Sequence, residues 1–246
     1  MSLPQIVSEE QWVQNRKELL AKEKQLTKMH DALNAERRRL PMVRVDKNYV
    51  FEGPNGQLSL LELFDGSRQL IVKHFMFDPT WDAGCPGCSA DADEFSEGLV
   101  VHLKSRDTAY AEVSRAPLSK IEDYRSRKGW TIPWYSSYGS DFNYDFHASF
   151  DESISPILYN YRTRAELEQL GETWDADDNT ENPGYSCFLR DGDTIYHTYS
   201  TFARGTEYLS GTYSLLDLTA LGRQENWELP RDRVADPHGA DPTFSD

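Results

Sequence analysis

The sequence predicts an α/β protein, a central mixed sheet flanked by helices, with a long N-terminal helix and an insertion before the final hairpin. Three observations predict it. The apolar run "LIVKHFMF", a helix-spaced segment and the strand-like "TAYAEV" follow one another, and a second helix and strand come after them. That alternation builds parallel strands. The segment "GYSCFLRDGDTIYHTYS" reads as two strands about a tight "DG" turn, adding antiparallel neighbours. Before all of these, a highly charged stretch repeats Trp12, Leu19, Leu26, Leu33 and Leu40 every seven residues.

The first element opens on Ser8 with Gln11 three residues later, a capping-box pattern, and stops at Pro41. The alternate seam positions Arg16, Glu23 and His30 are polar, so the helix is half of a coiled-coil pattern. It is read as laid against its own domain, with a homodimer arm as the alternative. From Met42 the chain alternates polar and apolar residues, turns at "GPNG", makes a short helix at "LLELF" and enters "LIVKHFMF" as a buried parallel strand. In "CSADADEFSEGLVVHLKSR", Ala92, Phe95, Leu99 and Leu103 stand at helical spacing ahead of "TAYAEV". A second helix starts on Pro117 and leads into "TIPWYSS". An irregular aromatic and acidic insertion, about 138–183, holds the helix "RAELEQLG"; "TEYLSGTYSLLDLTALG" closes the fold as a helix. The expected organisation is an extension over 1–41, the main domain over 42–222 and a mobile tail over 223–246.

Composition narrows the function. Among 246 residues, 41 acidic against 26 basic side chains give a formal charge of −15, a field that repels phosphate backbones, so no nucleic-acid partner is expected. No apolar run approaches the roughly 20 residues a membrane helix needs, and the N-terminus lacks a basic head before an apolar stretch. A cytoplasmic protein without a membrane partner is the expectation. Three cysteines are too few for a disulfide scaffold, and a close pair outside the export route is more often redox-active or metal-binding.

That pair is Cys85 and Cys88 in "WDAGCPGCS". A redox dithiol needs one accessible, ionised sulfur and a second close enough to displace the mixed disulfide. Two intervening residues at a helix start meet both needs, because unpaired backbone N–H groups and the helix dipole favour thiolate at the first cysteine. Pro86 suits the first helical turn, where its missing N–H costs nothing. The preceding strand delivers Cys85 to its carboxyl end, where open α/β sheets gather reactive groups.

The order strand, CxxC, helix, strand, helix, strand, hairpin and final helix is similar to the thioredoxin superfamily. More narrowly, "LPMVRVDKNYVFEGPNG", "HFMFDPTWDAGCPGCS", "YSSYGSDFNYDFH" and "HTYSTFARG" resemble an uncharacterised bacterial family of predicted dithiol-disulfide oxidoreductases, from about Pro4 to Gln224. The resemblance implies a thiol-disulfide oxidoreductase with Cys85 attacking and Cys88 resolving, and no cofactor. Its partners would be a disulfide-containing protein or small thiol substrate and a cellular dithiol reductant. Thioredoxins carry tryptophan before the first cysteine and Gly-Pro between the two; here Gly84 and Pro86-Gly87 stand there. A cis-proline facing the dithiol is also implied, with Pro183 the nearest match and Pro133 a second candidate. A peroxiredoxin-type peroxidase would need proline at position 78 and threonine or serine at 82, which are Asp78 and Asp82.

Other residues are candidates for lining the site. His74 and Asp78 share a strand face and are read as a proton relay, or His74 as a hydrogen-bonded core histidine. Lys73 is an odd charge in an apolar strand and must find a partner. Asp82, Asp91, Asp93 and Glu94 surround the motif as a solvated helix start, where their charge opposes thiolate formation. Arg204 holds an anionic substrate or braces its loop. A binding or scaffold protein with an inert or metal-holding dithiol is the rival reading; zinc would need Cys187 with His74 or His102, whereas Cys187 reads as a buried, inert thiol. Asp141, Asp145 and His147 cluster among aromatic residues, and "WTIPWYSSYGSDFNYDFHASF" reads as a packed aromatic wall beside the dithiol.

Overall fold

The structure, a computed structural model, describes residues 3–172 and 180–237. Expectations for 173–179 of the insertion and 238–246 of the tail lie outside the described residues. The chain divides into two compact units, residues 3–42 with 216–237, and residues 43–172 with 180–215.

In the first unit helix α1 spans Glu9–Arg37. Ser8 Oγ accepts the Gln11 N–H at 3.2 Å, while the Gln11 side chain donates to Asn15 at 3.1 Å, so only half of the expected capping box forms. Trp12, Leu19, Leu26 and Leu33 form an exposed line along it. In the C-terminal part Arg223 grips Asp217 through Nε and Nη2 at 2.8 and 2.9 Å.

The second unit is built on an eight-stranded sheet. Its strands are β1 (Val43–Arg44), β2 (Val50–Gly53), β3 (Gly56–Ser59), β4 (Gln69–His74), β5 (Thr108–Ser114), β6 (Trp134–Ser136), β7 (Gly184–Asp191) and β8 (Thr194–Phe202). The order is β1-β8-β7-β4-β5-β6-β2-β3. Strands β4, β5 and β6 are parallel, and β7 and β8 add to β4 as the expected antiparallel hairpin. The hairpin turns at Gly192, whose φ of 58° lies in the left-handed region glycine enters without steric cost. A parallel βαβ pair extended beyond its first strand by an antiparallel hairpin is the thioredoxin-like arrangement. Helix α2 (Leu60–Leu63) carries a complete Ser59/Glu62 capping box, and α5 (Leu118–Lys128) ends on left-handed Gly129, φ 71°.

Two helical expectations are corrected. The helix after the cysteines is two helices, α3 (Pro86–Asp93) and α4 (Glu97–Lys104), because Ser96 restarts the chain as an N-cap, accepting the Leu99 N–H at 3.3 Å. The closing helix shrinks to α8 (Gly211–Leu216), preceded by two short 3-10 turns. Glu94 sets that start, accepting from Gly211 N at 2.6 Å, Thr212 N at 3.0 Å and Ser210 Oγ at 3.0 Å.

The sheet separates two cores. Leu70, Val72, Ala111, Val113 and Phe188 pack with Phe51, Phe64, Phe142 and Phe146 on one face. Phe75, Phe77, Ile121, Ile132 and Trp134 pack with Cys88 on the other. The aromatic wall is therefore divided: Trp130 and Trp134 lie on the dithiol side, and Phe142 and Phe146, in the short helix α6 (Phe142–Asp145) and just beyond it, fill the opposite core. Helix α7 (Arg164–Leu170) forms where "RAELEQLG" predicts it, capped by Thr163 and ended by left-handed Gly171.

Candidate functional site

The loop from β4 to α3 is held at each step. The Phe75 N–H continues the ladder to Val113 O at 3.0 Å, and the Cys85 N–H returns to Met76 O at 2.9 Å. Between them Asp78 Oδ1 accepts the Thr80 N–H and hydroxyl at 2.8 and 2.6 Å, and Lys120 clamps the carbonyls of Pro79 and Trp81 at 2.8 and 2.9 Å. Gly84 is required by close approach: a Cβ there would lie 2.5 Å from Phe75 Cε1 and 3.2 Å from Tyr124 Cε1. The tryptophan thioredoxins carry at this position has no room here.

Cys85 is the N-cap of α3 and Pro86 its first residue. Its half-buried sulfur stands at the end of the helix where N–H groups lack partners and the dipole is positive. The Cys85 carbonyl accepts both the N–H and the hydroxyl of Ser89 at 2.9 Å. Cys88, one turn inward, is buried, and its Sγ accepts the Met76 N–H at 3.5 Å. Its thiol pKa is pushed well up, first by its hydrogen bond to Cys85, then by burial and by the charge on Cys85; Lys73 and the Met76 N–H pull the other way. The two sulfurs are thus unequal, the inner one holding its proton.

Behind Cys88 lies a buried charged network that composition and periodicity did not reveal. Lys73 Nζ donates to Cys88 O at 3.5 Å, pairs closely with Asp91 and stands 3.6 Å from Glu112. Burial opposes the charge on Lys73, but Glu112, Tyr185, Asp91 and Cys88 more than offset it and raise its pKa. Burial raises that of Glu112, against the pull of Lys73. Tyr110 donates to Glu112 at 3.1 Å and Tyr185 to Asp91 at 2.8 Å. A sequence signal existed: one acid and one base in two adjoining apolar strands.

The predicted site residues are not gathered in one place. His74 follows Lys73 in β4 and so faces the opposite side of the sheet. There its Nε2 bonds Ser186 Oγ at 2.8 Å, and burial, with His197 nearby, lowers its pKa to about 3. It is a core histidine without a contact to the dithiol. Asp78 pairs with Arg115, which also donates to Glu181 and to the Tyr144 hydroxyl, both at 2.5 Å. Asp82 is exposed. The bond before Pro183 is trans, as is that before Pro133, and the Pro183 carbonyl accepts the Ala203 N–H at 2.9 Å as the hairpin begins. Arg204 pairs with Glu207 at 3.5 Å, an exposed brace.

The acids after the motif are not a solvated helix start. Asp91 serves Lys73, Asp93 accepts from Trp130 Nε1 at 2.8 Å, and Glu94 caps α8, so none stands in the first turn of α3. Cys187 is half-buried rather than buried. Asp141 and Asp145 share Lys47 Nζ, 2.7 Å from each. Among the described residues no three His, Cys, Asp or Glu side chains are gathered to hold a metal. No described helix is long and apolar enough to cross a membrane.

Several known structures are remotely similar to the chain. A PrxQ mutant of Xylella fastidiosa is 12% identical over 68% of this chain and 88% of its own, with a TM-score of 0.46. A Peroxiredoxin Q mutant of Xanthomonas campestris is 12% identical over 66% and 85%, TM-score 0.38. A hypothetical protein of Sinorhizobium meliloti is 12% identical over 68% and 74%, TM-score 0.36. No curated protein matches. A family model does match, over residues 1–237, and the chain belongs to that family, described as "Bacterial protein of unknown function (DUF899)".

Proposed function

We propose that the protein is a thiol-disulfide oxidoreductase in which Cys85 attacks a disulfide and Cys88 resolves the intermediate. The observation that carries this reading is the inequality of the two sulfurs: Cys85 caps a helix, while Cys88 is buried and gives its hydrogen bond to Cys85. The Cys85 thiolate attacks one substrate sulfur, the substrate S–S bond breaks, and the leaving thiolate takes a proton. Forming the mixed disulfide removes the hydrogen-bond acceptor on Cys85, the largest influence holding the proton on Cys88, and the Cys85 charge, a further one; burial of Cys88 stays. The Lys73 charge remains, so Cys88 ionises at that stage and attacks Cys85 Sγ, expelling the second substrate thiolate. The dithiol gives up two electrons and becomes the Cys85–Cys88 disulfide. A cellular dithiol reductant in the cytoplasm restores it.

Peroxide reduction is disfavoured by Asp78 and Asp82, where a peroxiredoxin-type site needs proline and a hydroxyl, and peroxide consumption dependent on Cys85 is expected to be absent. For the exchange reading, intact mass and thiol titration before and after mild oxidant are expected to show a loss of two hydrogens confined to Cys85 and Cys88. Cys88→Ser should trap a mixed disulfide and Cys85→Ser should exchange nothing. Full activity in Cys85→Ser, or a pair that stays reduced in oxidant, overturns it.

A further inference from the structure

Beside the loop that carries the dithiol is a cavity of about 420 Å³ to which neither cysteine belongs. Trp81, Tyr144 and Phe150 give it aromatic walls, and Asp78, Arg115 and Asp151 supply its charge. Trp81 stands four positions before Cys85, so their Cα atoms lie within about 14 Å of one another. Trp81 and Cys85 also pack against the same buried cluster. The Cys85 N–H bonds Met76 O, two residues before the cavity's Asp78, so the cavity lies beside the residue that a substrate sulfur would meet.

The charges decide which group. Arg115 is committed, held by Asp78, Glu181 and the Tyr144 hydroxyl. The Thr80 hydroxyl and N–H, with Arg115, keep Asp78 ionised although burial works the other way, and Ser153 does the same for the exposed Asp151. Two carboxylates against one guanidinium leave the lining with one net negative charge; Arg115 already lies over the Tyr144 ring, so the aromatic groups of Trp81 and Phe150, with Asp151, are what suit an ammonium or guanidinium ion. The formal charge of −15 draws the same ligands from a distance.

We propose that this cavity selects substrate disulfides bearing a cationic group close to the sulfur, so that small amino disulfides are preferred over neutral and acidic ones. The proposal rests on the oxidoreductase reading and adds the substrate class.

The test oxidises the reduced full-length protein with cystamine, hydroxyethyl disulfide and dithiodipropionate, which are doubly positive, neutral and doubly negative. Each rate is divided by that of free dithiothreitol in the same buffer, which removes the reagents' intrinsic reactivity. Cystamine should then lead the neutral reagent by about tenfold, the worth of a cation held by a ring and a carboxylate. Asp151→Asn, an exposed and conservative change, should cut that lead at least severalfold. Asp193→Asn removes the same charge at the hairpin turn, at the opposite end of the sheet, and should cut it far less. Equal normalised rates, or equal losses in the two variants, overturn the inference while exchange itself stands. Absence of reaction with all three reagents sinks the oxidoreductase reading and this inference with it.

Discussion

Lys73 and Glu112 face each other across the parallel pair β4 and β5, their charged groups 3.6 Å apart with side chains only 5% and 1% exposed. Removing one partner strands the other's charge in the core, which typically costs about 3–5 kcal/mol. Lys73→Met is expected to lose that much, and Lys73→Met with Glu112→Leu to recover most of it. Urea unfolding of both singles and the double checks this; additive losses would show that the two groups are not coupled.

The Lys73 charge also favours the ionised form of Cys88. In a Lys73→Gln, Glu112→Gln variant, which leaves no stranded charge in the pair, resolution of the mixed disulfide should slow about tenfold near pH 7, the effect of one pKa unit on thiolate supply. Attack by Cys85 should change little. Quenched-flow mass spectrometry follows the mixed disulfide, and an unaltered lifetime would remove Lys73 from the mechanism.

Glu181 couples folding to pH. Burial raises its pKa from the ordinary 4.5 to about 7, against the pull of Arg115 and Ser149. A carboxyl whose folded pKa is raised contributes fully below its unfolded pKa, and that contribution is lost as pH rises through the folded value. Stability should therefore decline between pH 4.5 and about 7, by about 3 kcal/mol for a shift of this size. In Glu181→Gln that part of the slope should vanish. Denaturant unfolding at pH 5 and pH 8 measures both, and parallel pH profiles would refute it.

Gly84→Ala places a methyl group 2.5 Å from Phe75 Cε1. Overpacking of this kind costs about 1–3 kcal/mol, and here the strain falls on the residue before Cys85. A lower melting temperature together with slower exchange is expected. A variant as stable and active as the parent would mean that the loop shifts freely, contrary to its hydrogen bonds.

Local rules carried much of the fold. Ser59 with Glu62, Thr163 with Glu166, Gly129, Gly171 and the Gly192 turn act through neighbouring residues, and the alternation around "LIVKHFMF" and "TAYAEV" placed Cys85 at a strand end and a helix start. The same periodicity misjudged the helix after the motif, because Ser96 interrupts a spacing that Ala92, Phe95, Leu99 and Leu103 continue.

The sequence by itself determined the order of elements and the position of the dithiol, since strands, caps and turns answer to residues a few places apart. Tertiary structure alone decided which charges meet. Register sets Lys73 against Glu112 and turns His74 to the other face, and folding brings Arg115 to Asp78, 37 positions away, and to Glu181, 66 positions away. A buried charge must be compensated, but its sequence does not say by which residue; the sheet does.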